Sequence, residues 1–360
     1  MHFSRLAVLL ATVALAACGS GSTDGGGNPS SGSSGSGSSG GSSGAGSSGG
    51  SGGGSSSSGS SGAGSSGGSG GSTSSSGGGS SSSSGGNPDA GVSDQSVTLT
   101  MGPFTVPAGS EVFKCQTFAN PFGGKDVDIK EYEEHMTQGS HHMFVFFSQG
   151  ATNGALEDCP NGGLEYHPYP FSAQSPDATL TYPPTVGSHI PAAMGFMLNA
   201  HFLNAQATAL QATLTVTFHL AVTGAVTQYA GVVFMNNVGI VIPPGQTPVT
   251  STRTVTMPQD MNVIESASHM HQRATNFVAT SGSQTLYTSP SWSNPVPAFY
   301  TPPMHLTSGQ QVTWGCTYVN DTGQTLTFGE SAQTNVMCIY TMQFYPITDP
   351  TNPTITFNVP

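Results

Sequence analysis

From Gly25 to Gly86 every residue except Asn28, Pro29, Ala45, Ala63 and Thr73 is glycine or serine. Such a stretch has almost no side chain to bury and a large backbone entropy to lose, so it cannot build a core and is predicted to be disordered. Folding is confined to the remainder, from about Gln95 to Pro360, and the tract reads as a tether. Lysine and arginine together number 6 against 18 acidic residues, and the folded part holds only Lys114, Lys125, Lys130, Arg253 and Arg273. Five scattered cations form no basic patch, which argues against a nucleic-acid partner.

The segment ahead of the tether reads as an export signal: Arg5 is followed by an apolar run from Leu6 to Ala17, short for a bilayer span. Its end, Leu15-Ala16-Ala17-Cys18, resembles a bacterial lipobox. That resemblance implies cleavage before Cys18 and lipidation of its thiol, the alternative being an ordinary signal peptide with an incidental cysteine. Gly19 in place of an aspartate favours the outer membrane or cell surface within that family. A flexible tether of about 70 residues has an r.m.s. span of roughly 45 Å, enough to hold a domain clear of the membrane. The expected layout is a signal peptide (1–18), a linker (19–94) and two domains (95–223 and 224–360), with the lipid anchor as the only membrane contact in a bacterial cell envelope.

With Cys18 set aside, Cys115, Cys159, Cys316 and Cys338 remain. An even number in an exported chain points to two disulfides, with three possible connectivities. The nearest-neighbour pairing keeps each bridge within one half of the body and contributes about 3 to 4 kcal/mol per bridge in the chain-entropy model. Metal-binding thiols are the competing reading, but no C-x-x-C spacing supports it.

Leu214-Thr215-Val216-Thr217-Phe218-His219-Leu220 alternates apolar and polar residues with period two, the mark of a half-buried strand. Similar runs occur at Val97–Met101, Val112–Phe118, Met143–Phe147, Phe196–Leu203, Gly231–Phe234, Gln311–Val319 and Val336–Phe344, separated by turn-rich pieces such as Pro243-Pro244-Gly245. Only Lys130–Met136 has a locally helical look. The predicted class is therefore all-β, as two antiparallel β-sandwich or jelly-roll domains, with the boundary near Ala221 to Gln228.

The histidines carry the chemistry. His141-His142 opens a strand, where adjacent side chains reach one ligand only across an irregularity, and Gly139-Ser140 supplies a place for it. In Leu198-Asn199-Ala200-His201-Phe202-Leu203 the alternation turns His201 away from the packed face. His269-Met270-His271 places two imidazoles on one side of a strand, a ready chelate. If Cys338 points inward to a disulfide, Met337 faces the other way, where its thioether is a soft ligand suited to Cu(I); methionine as core filler is the plain alternative. His135, His167, His189, His219 and His305 read as structural or exposed, and Glu131, Glu133 and Glu134 as a solvated acidic face.

In this order and with these neighbours, His141-His142-Met143, His201, His269-Met270-His271 and Met337-Cys338 resemble the copper type II ascorbate-dependent monooxygenases, the family of peptidylglycine alpha-hydroxylating and dopamine beta-monooxygenases. The similarity extends over most of Val97 to Pro346 and includes Ile242-Pro243-Pro244-Gly245, Ala298-Phe299-Tyr300 and the cysteine positions, which correspond to two of the family's disulfides. The resemblance implies two coppers per chain, one held by His141, His142 and His201, the other by His269, His271 and Met337. It also implies O2 and a small organic molecule as substrates, ascorbate or a similar reductant, and C–H hydroxylation at the Met-ligated copper.

Two departures bear on the substrate. Peptide-amidating members carry an arginine two residues before the His-x-His pair, where this chain has Ala267, and members of the family tend to have a tyrosine four residues after the methionine ligand, where it has Thr341 with Tyr340 adjacent. A C-terminal-glycine peptide is thus a poor fit. The alternatives are a non-catalytic copper-binding or copper-handling lipoprotein on the same fold, and a binding module without metal. A blue-copper carrier needs a free cysteine thiolate that the expected disulfides remove.

Overall fold

The computed structural model describes residues 91–160 and 168–360. The export signal, Cys18, His167 and nearly all of the tether lie outside the described residues. The described residues all fall in one compact contact unit.

Every regular element among the described residues is a β-strand, as period-two alternation over short runs requires. One sheet orders its strands Val92–Val106, Leu210–Ala221, Val127–Met136, Val186–Ile190 and Gln228–Tyr229, with Asp177–Thr181 also on Val127–Met136. Its partner orders Glu157–Asp158, Glu111–Phe118, Met194–Leu203, Ser140–Gln149 and Phe171–Ala173. From Val92–Val106 to Ser140–Gln149 the long strands alternate between the two sheets, and Met194–Leu203 and Leu210–Ala221 again lie on opposite sheets, as in a jelly roll. Between them lies a core of Met101, Ile129, Tyr132, Leu198, Phe202, Phe218 and their neighbours.

A second sandwich pairs the sheet Ala298–Leu306, Met261–Met270, Cys338–Tyr345, Gly231–Asn237 and Thr354–Val359 with the sheet Gly245–Thr256, Gln311–Asn320, Ala274–Ser281 and Gln284–Ser289. Trp314, Tyr318, Phe277 and Phe344 anchor its core. Sheet membership changes between Tyr229 and Gly231. Among the described strands pairing is antiparallel except for two edge pairings, Gln228–Tyr229 beside Val186–Ile190 and Thr354–Val359 beside Gly231–Asn237, and an isolated bridge joins Phe328 and Val336 in parallel.

Both disulfides join near neighbours, Cys115 to Cys159 and Cys316 to Cys338. Two expectations are overturned. Lys130–Met136 belongs to the strand Val127–Met136, whose Lys130, Tyr132, Glu134 and Met136 alternate into the protein, so that backbone pairing overrides local helical propensity. Glu134 accordingly leaves the solvated acidic face for the interior, while Glu133 stays exposed.

The two sandwiches meet through the outer faces of the sheets that carry Ser140–Gln149 and Cys338–Tyr345. Phe146, Tyr169, Val232, Phe234, Met337 and Ile339 form an apolar cluster there. Polar ties cross the same seam: Tyr169 N–H donates to Thr354 Oγ1 (2.9 Å), and Gln343 Nε2 to the Pro170 carbonyl (3.1 Å). This seam is where the histidines lie.

Candidate metal centre

Each histidine reaches the seam by a local device. Opposite the strand Met194–Leu203 the register runs Ser140↔Phe202 and then His142↔His201, so that His141 is the extra residue of a bulge. Gly139 before it has φ 102°, a conformation costly for any residue with a Cβ. The bulge brings His141 and His142, which regular alternation would separate, into one cluster. Beyond it Met143, Val145 and Phe147 enter the first core, whereas Phe144 packs beside His142 at the seam.

On Met194–Leu203 the residues Phe196, Leu198, Ala200 and Phe202 fill the first core. His201 points the other way, as its alternation predicts, yet it is fully buried because the second sandwich covers it. On Met261–Met270 a register shift between Val263 and Glu265 changes the parity. Glu265, Ala267 and His269 therefore line the seam, while Ser266, Ser268 and Met270 turn inward.

The five rings form one cluster. From His141 the centroids of His269, His201, His142 and His271 lie at 4.7, 5.0, 5.3 and 5.7 Å. His142 stands 4.8 Å from both His201 and His269. The ligand atoms of His141, His142 and His269 all lie within 4.8 Å of one another. The two ligand groups implied by the resemblance are thus not apart: two imidazoles of the first sandwich and one of the second share the tightest group.

Hydrogen bonds fix two of the tautomers. Gln174 donates Nε2–H to the Ser268 carbonyl (2.6 Å), which turns its Oε1 to accept from His269 Nδ1 (2.7 Å). His269 Nε2 is left buried and unpartnered. Glu111 Oε1 accepts from His201 Nε2 (2.8 Å), leaving His201 Nδ1 in the same condition. His141 Nε2 and His142 Nδ1 are likewise buried without partners. Orphaned buried nitrogens are rare because each one forfeits its solvation, and their convergence is the observation by which a metal ion fits here.

Electrostatics agrees with that fit. Burial, then the neighbouring rings, pushes His141, His142 and His269 well below the ordinary histidine range. Burial also lowers His201, against the opposing pull of Glu111, and brings His271 down to about 3. All five are neutral at pH 7, the form in which imidazole ligates. Burial alone would raise Glu111, but hydrogen bonds from His201, Ser331 and Ala332 hold it at about 2, so it is a carboxylate.

A cavity of about 230 Å³ opens beside the cluster, with His142 and His269 in its wall. Phe144, Phe146, Tyr169, Val232, Phe234 and Ile339 make it chiefly apolar, and Met337 lines it too. Met337 thus faces away from Cys338, as expected, although it is buried. Ala267 and Thr341, the two departures noted in the sequence, are register partners in the wall. Glu265 and Glu330 also line it, and burial raises them to about 7 and about 8.

The other described histidines lie elsewhere. His135 pairs with Asp177, His189 with Asp128 (2.8 Å), His219 with Glu133 (3.3 Å) and His305 with Asn262 (3.2 Å). Sequence reasoning missed Glu111, Gln174 and the rings against the cluster, Phe113 stacked on His201 at 3.9 Å and Trp292 at 5.9 Å from His141. No local pattern marks them, since each acts across at least 88 residues of chain.

No family model matches the chain, and no curated protein does. Solved structures with some likeness include PNGase F, a glycosylasparaginase from Flavobacterium meningosepticum, at TM-score 0.34 and 8% identity over 73% of this chain and 98% of that one. The major capsid protein P2 from bacteriophage PM2 follows at 0.29 and 9%, over 71% and 98%. Likenesses this distant carry no argument about the site.

Proposed function

We propose that the protein is an exported copper-dependent monooxygenase that hydroxylates a C–H bond of a small, largely apolar molecule. The observation that carries this reading is the convergence of five neutral histidines, four buried and His142 half-buried, each with an unpaired ring nitrogen, beside an apolar cavity whose wall includes His142 and His269. His141, His142, His201, His269 and His271 would hold the metal, with Met337 as the thioether on the cavity side. Copper, when bound, supplies the one-electron steps and the handling of O2 that no side chain can provide.

The chain's own residues do the rest. Glu111 and Gln174 hold His201 and His269 in the tautomers that free a nitrogen for the ion. The aromatic and aliphatic wall binds the substrate by burying its surface and keeps water from the reacting carbon. Ala267 and Thr341 leave room where a larger side chain would stand, and no lysine or arginine lines the cavity to receive a substrate carboxylate. The balance is R–H + O2 + 2 e⁻ + 2 H⁺ → R–OH + H2O, with both electrons and protons from a reductant of the ascorbate class. The two disulfides agree with an oxidising compartment.

The test is elemental analysis of the full chain after copper loading and dialysis, followed by oxygen uptake with ascorbate and a panel of small apolar compounds. Retained copper with substrate-coupled uptake is expected, and Met337→Ile should abolish uptake while histidine-bound copper remains. Retained copper without coupled uptake for any compound would favour a copper-handling protein, and no retained copper would remove the metal altogether.

A further inference from the structure

We propose that Glu111 is a positioning residue that links the metal-facing nitrogen of His201 to the turn leading into Met337, so that filling the histidine cluster and seating that turn are one event. This rests on the metal-centre reading above. Glu111 opens the strand Glu111–Phe118 of the first sandwich, and its side chain is only 13% exposed. Its carboxylate is shared between the sandwiches: Oε1 accepts from His201 Nε2 and from Ala332 N–H (2.7 Å), and Oε2 from Ser331 Oγ (2.7 Å).

A carboxylate is an acceptor only, so His201 must donate through Nε2 and present Nδ1 as its lone pair. Nδ1 is the buried nitrogen without a partner, and stacking on Phe113 fixes the plane of the ring. On the other side, Ser331 organises the turn. Its Oγ accepts from Gln333 N–H (3.2 Å) and its carbonyl from Asn335 N–H (3.0 Å). Val336 N–H then donates to the Thr327 carbonyl (3.0 Å), and the Met337 carbonyl accepts from Tyr318 Oη.

One side chain therefore touches a candidate ligand of the first sandwich and the start of the segment that delivers the candidate thioether of the second. A change in charge at His201 on metal binding passes through Glu111 directly to Ser331 and Ala332. Arg273, which donates to the Gln333 carbonyl (2.8 Å), holds the turn independently. Losing Glu111 should thus uncouple the turn without unfolding it.

The experiment compares the full chain with Glu111→Gln and Glu111→Ala, using Cu(II) as probe. Affinity is read by competition with a chromophoric chelator, ligation by the electron paramagnetic resonance spectrum, and the turn by hydrogen exchange over residues 329–337. We expect Glu111→Gln to bind copper roughly 10-fold more weakly and Glu111→Ala roughly 100-fold, the range for outer-sphere partners of a metal histidine, with altered spectra in both. Copper should protect residues 329–337 in the parent and not in Glu111→Ala. Unchanged affinity and spectrum in both variants, or copper-dependent protection that survives in Glu111→Ala, would overturn the role of Glu111. Should Glu111→Ala not fold, affinity and spectrum of the near-isosteric Glu111→Gln decide. If the parent itself takes up no copper, the metal-centre reading fails first and this role with it.

Discussion

Two of the places where the molecule buries polar atoms without partners mean different things. In the first sandwich both oxygens of Glu134 are orphaned at 2% exposure on the strand Val127–Met136. At the seam, ring nitrogens of His141, His142, His201 and His269 are orphaned as well. Glu134 can shed its charge by binding a proton: burial, reinforced by Asp177, raises it to about 9. The imidazoles are already neutral and their unpaired nitrogens converge, so protonation is resisted and a shared cation is what they lack. An orphan alone is a pKa statement, whereas orphans in concert are a binding site.

The largest effect should come from removing the ring at the middle of the cluster. His141→Ala deletes the imidazole that neighbours the other four. Copper affinity should fall by more than the roughly 10–100-fold typical of outer-sphere changes, and the copper-dependent rise in Tm should vanish. The metal-free Tm should barely move, since an unsatisfied nitrogen leaves with the ring. Calorimetry with and without copper checks this, and an undiminished copper-dependent rise in the variant would dissolve the contrast between the cluster and Glu134.

Glu134 sharpens the contrast from the other side. Its carboxyl lies near 9 in the folded chain against 4.5 unfolded, so folding takes up a proton between those values. Stability is highest below about pH 4.5 as far as this group is concerned, and falls as pH rises towards 9. At pH 7 the loss is about 3 kcal/mol. Glu134→Gln removes the ionisable group and should flatten that decline, making the variant the more stable by about 3 kcal/mol at pH 7 and about 6 kcal/mol at pH 9. Urea unfolding at pH 5, 7 and 9 measures it, and parallel pH profiles for the two proteins would show that Glu134 is not the origin of the slope. Copper binding at the seam should be unaffected.

The sequence made the strands and the outward turn of His201 legible because alternation against one core is a local property. It could not show that a second sandwich would cover the same face, so His201 is buried where alternation alone exposes it. The Gly139-Ser140 irregularity before His141-His142 was readable, since a glycine there admits the bulge. The parity change at Glu265 was not, because a bulge without glycine leaves no mark in composition. Glu134 was misread for a related reason: three acidic residues in four look like a solvated face until strand pairing assigns them alternate sides. Separate metal groups follow naturally from order along the chain, and only the packing of the two sandwiches brings His269 against His141 and His142.

The smallest effect on stability, and the most selective, belongs to the cavity. Ala267 stands two residues before His269 on the same face, with its methyl group in the wall opposite Thr341. In Ala267→Phe a ring enters the space of about 230 Å³, where an added side chain meets less resistance than in a packed core. The stability change should stay below the roughly 1–3 kcal/mol of true overpacking. Copper affinity should match the parent, because the ring displaces no nitrogen donor. Binding of a small apolar probe such as 4-methylphenol, followed by ligand-observed NMR, should be lost together with substrate-coupled oxygen uptake. Such a variant would hold its metal and lose its substrate, whereas Met337→Ile should lose uptake with the cavity still open to the organic molecule. If 4-methylphenol bound both proteins equally, the organic molecule would have to approach the histidines from somewhere other than this cavity.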